Sequence, residues 1–245
     1  MSDLNEFDPF EDITNEEQLE LNKRRQQHDQ TIKTKINNLA SDPLARTMAE
    51  NRMIFTHVRE EKYKQPIMKQ HLLSEQECQT VLDICHKKLG AQWTMGRHSA
   101  FATVDIPIRD DEQLAYLEPI VRQRLFPLLA THYQFKVSDL AFRDIFLVKY
   151  SAVGQRGLKL HTDGCLFSLT LLISNEHDFQ GGGTYYASTD TVLHLKQGDC
   201  AYHDAHIMHS GVDITQGERY ILVAFIDTID TIENDKLANK STLRQ

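Results

Sequence analysis

The sequence predicts an α+β chain with a mainly β core, and three observations predict it. After Phe142 the hydrophobic period shortens. Asp144–Tyr150, Leu166–Ser174, Gly183–Ala187, Thr191–Leu195, Asp199–His203 and Arg219–Asp227 are short, rich in β-formers and separated by Gly, Asn and Asp. These segments follow one another with no helical pattern between them, which argues for a sandwich or barrel rather than βαβ units. Two helix-period segments precede them, so the expected architecture is a jelly roll buttressed by helices.

The elements follow in order. Thr14 and Glu17 form a capping-box start, and the stretch to Ala40 is helix-prone but polar nearly all round, with Lys23, Arg24 and Arg25 at its middle. Such a helix stands in solvent or docks weakly; its basic cluster, flanked by acidic residues, reads first as a solvated face, with contact to a partner as the alternative. Ser41, Asp42 and Pro43 mark a break and a new helix start with Pro43 in the first turn. Residues 1–65 are therefore expected to be a polar helical N-terminal extension. From Pro66 the pattern becomes globular. Ser74-Glu75-Gln76-Glu77 is a second capping box, and Val81, Leu82, Ile84, Cys85 and Leu89 recur at helical spacing until Gly90. Trp93–Ile108 reads as mixed and extended. Asp111–Tyr133 carries Leu114, Leu117, Ile120, Val121, Leu125, Leu128 and Leu129 on a helical stripe interrupted by Pro119 and Pro127, which predicts a kinked helix. The expected division is the extension, a domain over 66–230 (helical buttress 66–140, barrel 141–230) and a C-terminal tail over 231–245.

Composition narrows the function classes. The 245 residues are 40% hydrophobic and 25% charged, an ordinary globular balance. Thirty-five acidic against 27 basic residues give a formal net charge of -8, which disfavours nucleic acid and anionic membranes as partners. The longest apolar runs, Leu169–Ile173 and Ile221–Ile226, are strand-sized and far short of the roughly 20 residues that span a bilayer. The acidic start lacks the basic and apolar regions of a secretory signal, and a cytoplasmic location is expected. Cys78 and Cys85 lie two helical turns apart, about 11 Å of rise and too far for a disulfide. Cys165 and Cys200 stand alone and no Cys-x-x-Cys occurs, so all four thiols are expected to be reduced.

The chemistry concentrates in His161-Thr162-Asp163, with His209 and Arg219 downstream. On a strand, positions i and i+2 face one side, so His161 and Asp163 can turn an imidazole and a carboxylate toward one ion. A remote histidine would complete a two-His, one-carboxylate face with open positions, the arrangement that suits non-haem Fe(II) oxygenases. His203, His206 and His209, spaced by three, are the neighbouring candidates; His194 reads as an ordinary strand residue.

The run HTDGCLFSLTLLISNEHDFQGGGTYY from His161, followed by GDCAYHDAHIMHSGVDITQGERYILVAFID, resembles the 2-oxoglutarate- and Fe(II)-dependent dioxygenases, in their prolyl-4-hydroxylase-like branch. The shared features, in order, are His-x-Asp, an apolar strand ending in Ser-Asn, Gly-Gly-Gly-Thr, Gly-Asp before a strand, His-x-Gly, and Gly-x-Arg-Tyr before the last strand. The resemblance covers roughly Ile145–Asp227, with a weaker echo at Leu72–Cys85. It implies a double-stranded β-helix of jelly-roll or cupin-like form, with iron held by His161, Asp163 and His209. It further implies that Arg219 holds the cosubstrate 2-oxoglutarate, with Tyr150, Thr184 and Tyr186 as weaker cosubstrate candidates and Ser168 and Thr170 undecided. In its register His203 falls where relatives often carry an aromatic residue, and His206 falls in a turn. The resemblance also implies dioxygen as the second cosubstrate, with ascorbate as an optional reductant. Asp163 argues against halogenation, because the related halogenases lack this carboxylate. Arg97 and His98, with Thr103 and Asp105, lie upstream of the barrel where related enzymes build the substrate mouth. The expected function is hydroxylation of an unactivated C–H bond in a protein or peptide residue, prolyl for example. The alternatives are hydroxylation of a free amino acid or other small metabolite, and a catalytically silent metal-binding β-barrel module that binds partners through its N-terminal helices.

Overall fold

The computed structural model describes residues 14–88, 93–97 and 101–242; Leu89, Gly90 and His98, which carried expectations above, lie outside the described residues. The helices are α1 (Asn15–Asn37), α2 (Met48–Lys62), α3 (Glu75–Lys87), α4 (Leu117–Tyr133) and α5 (Ile229–Thr242). The strands are β1 (Ile67–Lys69), β2 (Asp105–Pro107), β3 (Leu140–Ser151), β4 (Leu158–His161), β5 (Phe167–Leu172), β6 (Phe179–Gly181), β7 (Thr184–Tyr186), β8 (Thr191–Leu193), β9 (Cys200–Asp204), β10 (His209–Gly211) and β11 (Ile214–Thr228). They form two sheets, paired antiparallel throughout. The larger runs β1-β9-β5-β11-β3-β2 with β6 added along β11, and the smaller runs β4-β10-β7-β8. No described helix is long and apolar enough to cross a membrane.

Alternation along the long central strands explains how one sheet serves two layers. On β3 and β11, Ile145, Leu147, Leu222, Ala224 and Ile226 join the core built with the helices, while Phe146, Val148, Tyr150 and Ile221 belong to a second apolar cluster on the other face. That second face looks toward the smaller sheet, and the cavity described below lies between the two.

Capping sets the helix starts. Thr14, Thr47 and Ser74 each accept from the backbone N–H three residues on, and a Glu at that third position returns the bond. Ser41-Asp42-Pro43 starts only a single 3-10 turn, and the α-helix begins at Met48 behind Thr47. α4 starts at Leu117, with Pro119 in its first turn, where the missing N–H has no intrahelical partner to lose.

One expectation about the ends of the chain is corrected. α1 is largely exposed, with Asp29, Ile32 and Ile36 half-buried in its second half, but α2 is no solvated extension. Phe55 is 1% exposed and packs on Phe167, Tyr63, Tyr133 and Phe135 with ring centroids 5.0–5.9 Å apart, so α2 is part of the core although residues 1–65 read as polar. At the other end the tail is helical as far as Thr242. It is tied down by Arg52, which donates to Thr228, Asp230 and Thr231, and by Arg143, which bridges Asp227 and Asp235.

The α3 cap carries a pH-dependent contribution. Arg124 forks onto Glu77 at 2.8 and 2.9 Å while the same carboxylate accepts the Ser74 N–H, and these bonds hold the carboxyl at about 2 against an ordinary 4.5. A depressed carboxylate stabilises the fold fully above its unfolded value, and the stabilisation disappears as pH falls through the folded one. Because the pair is partly solvated, Glu77→Gln is expected to cost no more than ~1 kcal/mol at neutral pH. The cost should shrink between about pH 4.5 and pH 2, as read from thermal melts of both proteins across that range.

Candidate metal centre and its cavity

A cavity of about 440 Å³ opens between the two sheets, and His161, Asp163, His209, Arg219, Tyr150, Thr184 and Arg97 lie along it. At one end are His161, the last residue of β4, and His209, the first of β10. The register pairs them directly, which sets the imidazole centroids 4.4 Å apart. Asp163 lies beyond the end of β4, in the turn toward β5 rather than on the strand, and its N–H donates to the Ala205 carbonyl at 3.0 Å. His161 Nε2 is 3.5 Å from Asp163 Oδ1, and His209 Nε2 is 3.5 Å from Asp163 Oδ2. One donor atom from each of the three residues lies within 4.8 Å of the others.

The bonds around this cluster prepare it to hold a cation. Each histidine's Nδ1 faces the carbonyl two residues back, Lys159 at 2.7 Å and Ile207 at 2.9 Å. Carbonyl oxygens only accept, so Nδ1 carries the proton and Nε2 presents a lone pair to the cluster. Ser168 Oγ donates to Asp163 Oδ2 and fixes the carboxylate plane. Burial works against the charge of Asp163, yet the nearby His161 and His209 and the bond from Ser168 outweigh it and keep the carboxyl below its usual range. Burial lowers the His209 imidazole. It also opposes charge on His161, but the Asp163 carboxylate and the Lys159 carbonyl outweigh it and raise that ring. Two imidazole nitrogens and one ionised carboxylate, all on one side of a cavity, fit a divalent transition metal with positions left open.

Farther along the same cavity, β11 turns Arg219, Ile221, Val223 and Phe225 inward. Arg219, 3% exposed, lies opposite Tyr150 of β3, with that ring 5.7 Å from its guanidinium carbon. Among the described residues its one hydrogen bond is a long 3.5 Å contact to the Gly183 carbonyl, and no carboxylate pairs with it. Burial lowers its affinity for its proton. An unpaired buried guanidinium facing a cavity calls for an anion from outside the chain. Glycine makes room there. Gly182, at φ +74°, would bring a Cβ within 3.3 Å of the Arg219 stem, and a Cβ on Gly211 would come within 3.1 Å of the Tyr150 hydroxyl.

The remaining candidates divide. Thr184, Ser168 and Thr170 line the cavity, as does Tyr150. Tyr186 does not: paired with His209 across β7 and β10, its bulky ring stacks behind that imidazole at 6.1 Å and meets His203 edge-on at 5.1 Å. The alternation expected to bring both Thr184 and Tyr186 to the cavity therefore delivers only Thr184. His203 is fully buried, donates Nδ1–H to the Asp204 carbonyl at 2.9 Å, and is pushed down to about 4 by burial and by His209, so it is neutral. His206 is largely exposed and its Nδ1 meets Arg59 at 2.7 Å. His194 is exposed. Arg97 reaches the cavity, bonded to Asp105 at 2.8 Å and Asp144 at 2.6 Å and lying over the Phe146 ring. Sequence reasoning missed Phe101, which stacks on His161 at 4.7 Å, and the bond from Ser168 to Asp163. An isolated aromatic in a stretch without period gave no signal for the first.

No protein-family model matches the chain. It is 30% identical over 176 residues to the multifunctional procollagen lysine hydroxylase and glycosyltransferase of Homo sapiens, a match covering 64% of this chain and 23% of that protein. To procollagen-lysine,2-oxoglutarate 5-dioxygenase 2 of Homo sapiens it is 35% identical over 86 residues, covering 34% of this chain and 12% of the relative. The chain thus spans less than a quarter of the length of these curated relatives. Among solved structures, the viral collagen prolyl hydroxylase of Paramecium Bursaria Chlorella virus-1, in its 2-oxoglutarate complex, is similar with a TM-score of 0.53 at 17% identity, covering 69% of this chain and 97% of that one. A Pseudomonas putida prolyl-4-hydroxylase gives a TM-score of 0.53 at 11% identity, covering 74% and 98%. At such identities these two structures speak to the fold alone. The chain resembles the 2-oxoglutarate- and Fe(II)-dependent dioxygenases, and its likeness is to the prolyl-4-hydroxylase-like branch.

Proposed function

We propose that this chain is a 2-oxoglutarate- and O2-dependent Fe(II) dioxygenase that hydroxylates an unactivated C–H bond in a residue of a protein or peptide, on a double-stranded β-helix. One observation carries the reading: a His-Asp-His donor set and a buried guanidinium with no counter-ion among the described residues share one cavity. His161, Asp163 and His209 would hold Fe(II), and Ser168 keeps the Asp163 carboxylate turned toward them. Arg219 would take the distal carboxylate of 2-oxoglutarate through its planar fork, with Tyr150 and Thr184 beside it. When bound, iron with 2-oxoglutarate and dioxygen supplies the oxidising power for the C–H bond, with succinate and carbon dioxide as coproducts. Phe101, Phe146, Val148, Val223 and Phe225 give the cavity an apolar wall that limits water around the reacting carbon.

A protein residue is favoured as substrate because the relatives matched at 30–35% identity are procollagen lysine hydroxylases. The solved structures of similar fold include collagen and bacterial prolyl hydroxylases. Arg97, tied to Asp105 and Asp144 beside Phe146, is assigned to the substrate side of the cavity. The domain proper is taken to include α2, and the four free, buried thiols fit a reducing, cytoplasmic setting.

Anaerobic titration with Fe(II) and then 2-oxoglutarate tests the centre: a weak visible charge-transfer band is expected, and its absence from a folded protein would overturn the proposal. Aerobic incubation with lysyl and prolyl peptides, read by mass spectrometry, tests the substrate. Addition of one oxygen atom to a peptide is expected. Oxidation of free amino acids alone would move the assignment to a small metabolite, and failure to form any succinate would leave a silent binding module.

A further inference from the structure

We infer that Arg59 of α2 is a positioning residue for the metal centre, acting through the turn between β9 and β10. The inference rests on the proposed metal-binding role of His161, Asp163 and His209. It starts from a buried ion pair that joins residues 145 positions apart: Arg59 forks onto Asp204, with Nε 2.6 Å from Oδ2 and Nη2 bonded to Oδ1. The two side chains are only 10% and 4% exposed. Nη2 also donates to His206 Nδ1 at 2.7 Å. Asp204 closes β9, and its own groups fold the turn that follows: Oδ1 accepts the His206 N–H at 3.0 Å and its carbonyl accepts the Ile207 N–H at 2.9 Å.

That turn presents two of the three donors. The Ala205 carbonyl takes the Asp163 N–H at 3.0 Å, and the Ile207 carbonyl takes the Nδ1 proton of His209 at 2.9 Å. The guanidinium that fixes Asp204 thus fixes the two carbonyls that set the place of Asp163 and the tautomer and tilt of His209. Partners of this kind, one bond removed from the ligands, typically alter metal affinity by ~10–100-fold when removed. Arg59 is itself immobilised: its guanidinium lies 5.1 Å over the Phe55 ring, and Phe55 is locked among Phe167, Tyr133 and Phe135. The second half of the polar N-terminal stretch therefore acts as a clasp on the site.

The experiment is Mn(II) binding by isothermal titration calorimetry to the full chain and to Arg59→Ala, Arg59→Lys and Asn51→Ala. Asn51 is a buried α2 residue bonded to Asp139, Arg46 and the Pro43 carbonyl, so its loss loosens α2 without touching the turn. Arg59→Ala is expected to raise the Mn(II) Kd by ~10-fold or more. Arg59→Lys, which keeps the charge but cannot fork onto Asp204 and reach His206 together, should raise it by ~3-fold or more. Asn51→Ala should leave the Kd within twofold. Should Arg59→Ala fail to fold, Arg59→Lys decides alone. Unchanged Mn(II) affinity in a folded Arg59 variant, or an equal loss in Asn51→Ala, would overturn the clasp while leaving the metal reading intact. Absence of Mn(II) binding by the natural chain would overturn the metal reading and the clasp with it.

Discussion

His209→Ala is expected to weaken Fe(II) binding by ~100–1000-fold and to remove measurable turnover, while His206→Ala changes the affinity by less than tenfold. The magnitude follows from ligand count: full structural metal sites are worth about 10–16 kcal/mol, so one donor in three or four carries about 3–4 kcal/mol. The contrast follows from geometry. His209 Nε2 is 3.5 Å from Asp163 Oδ2 and its Nδ1 is committed to the Ile207 carbonyl, so its lone pair has one place to go. The His206 ring nitrogen is instead engaged by Arg59. His203 is the sterner competitor because it is buried beside His209, with ring centroids 4.6 Å apart. Its Nδ1 serves the Asp204 carbonyl, and its Nε2 is not among the donors that converge on Asp163. Anaerobic Fe(II) titration of the three single alanine variants checks the assignment. Loss of binding in His206→Ala with retention in His209→Ala would place the donor set in a different register.

Much of this site was legible because its chemistry is compressed into short motifs, whereas the elements that carry the motifs were not. β4 and β10, which hold the two histidines, are four and three residues long and read Leu-Lys-Leu-His and His-Ser-Gly, with no run of β-formers to announce a strand. Long strands showed clearly: β3 and β11 alternate cleanly because one face meets the helices and the other the cavity. α2 falls within a stretch that reads as polar because two of its three buried residues, Asn51 and Arg59, are polar, and the single aromatic Phe55 sets no period. The Arg59–Asp204 pair, the Ser168 bond to Asp163 and the Phe101 stack on His161 depend on tertiary placement that spacing along the chain does not encode. Tyr186 shows the same limit from the other side. Its parity with Thr184 predicts a shared face, but ring size and pairing with His209 put it behind the cavity wall.

Arg219→Met should produce two effects of opposite sign, and their combination distinguishes a cosubstrate anchor from a structural arginine. Among the described residues the buried guanidinium has no anion beside it and a single long bond to Gly183, so its charge is a net cost. An apolar side chain of similar length removes that cost and is expected to stabilise the ligand-free protein by about 1–3 kcal/mol. For a chain of this size the corresponding rise in Tm is ~2–10 °C. Binding moves the other way. A buried, forked bond to a carboxylate is worth about 2–5 kcal/mol when one partner is removed, so the variant should bind 2-oxoglutarate at least ~30-fold more weakly. Arg219→Lys keeps the buried charge but gives up the fork, so it should gain no stability and still lose affinity. The measurement is a pair of thermal melts on Mn(II)-loaded protein without oxygen, with and without 2-oxoglutarate. The natural chain starts lower and gains from the ligand, while Arg219→Met starts higher and does not respond. A structural arginine would give the reverse, a variant that melts lower and still gains from 2-oxoglutarate, and that outcome would reassign the anion-binding end of the cavity.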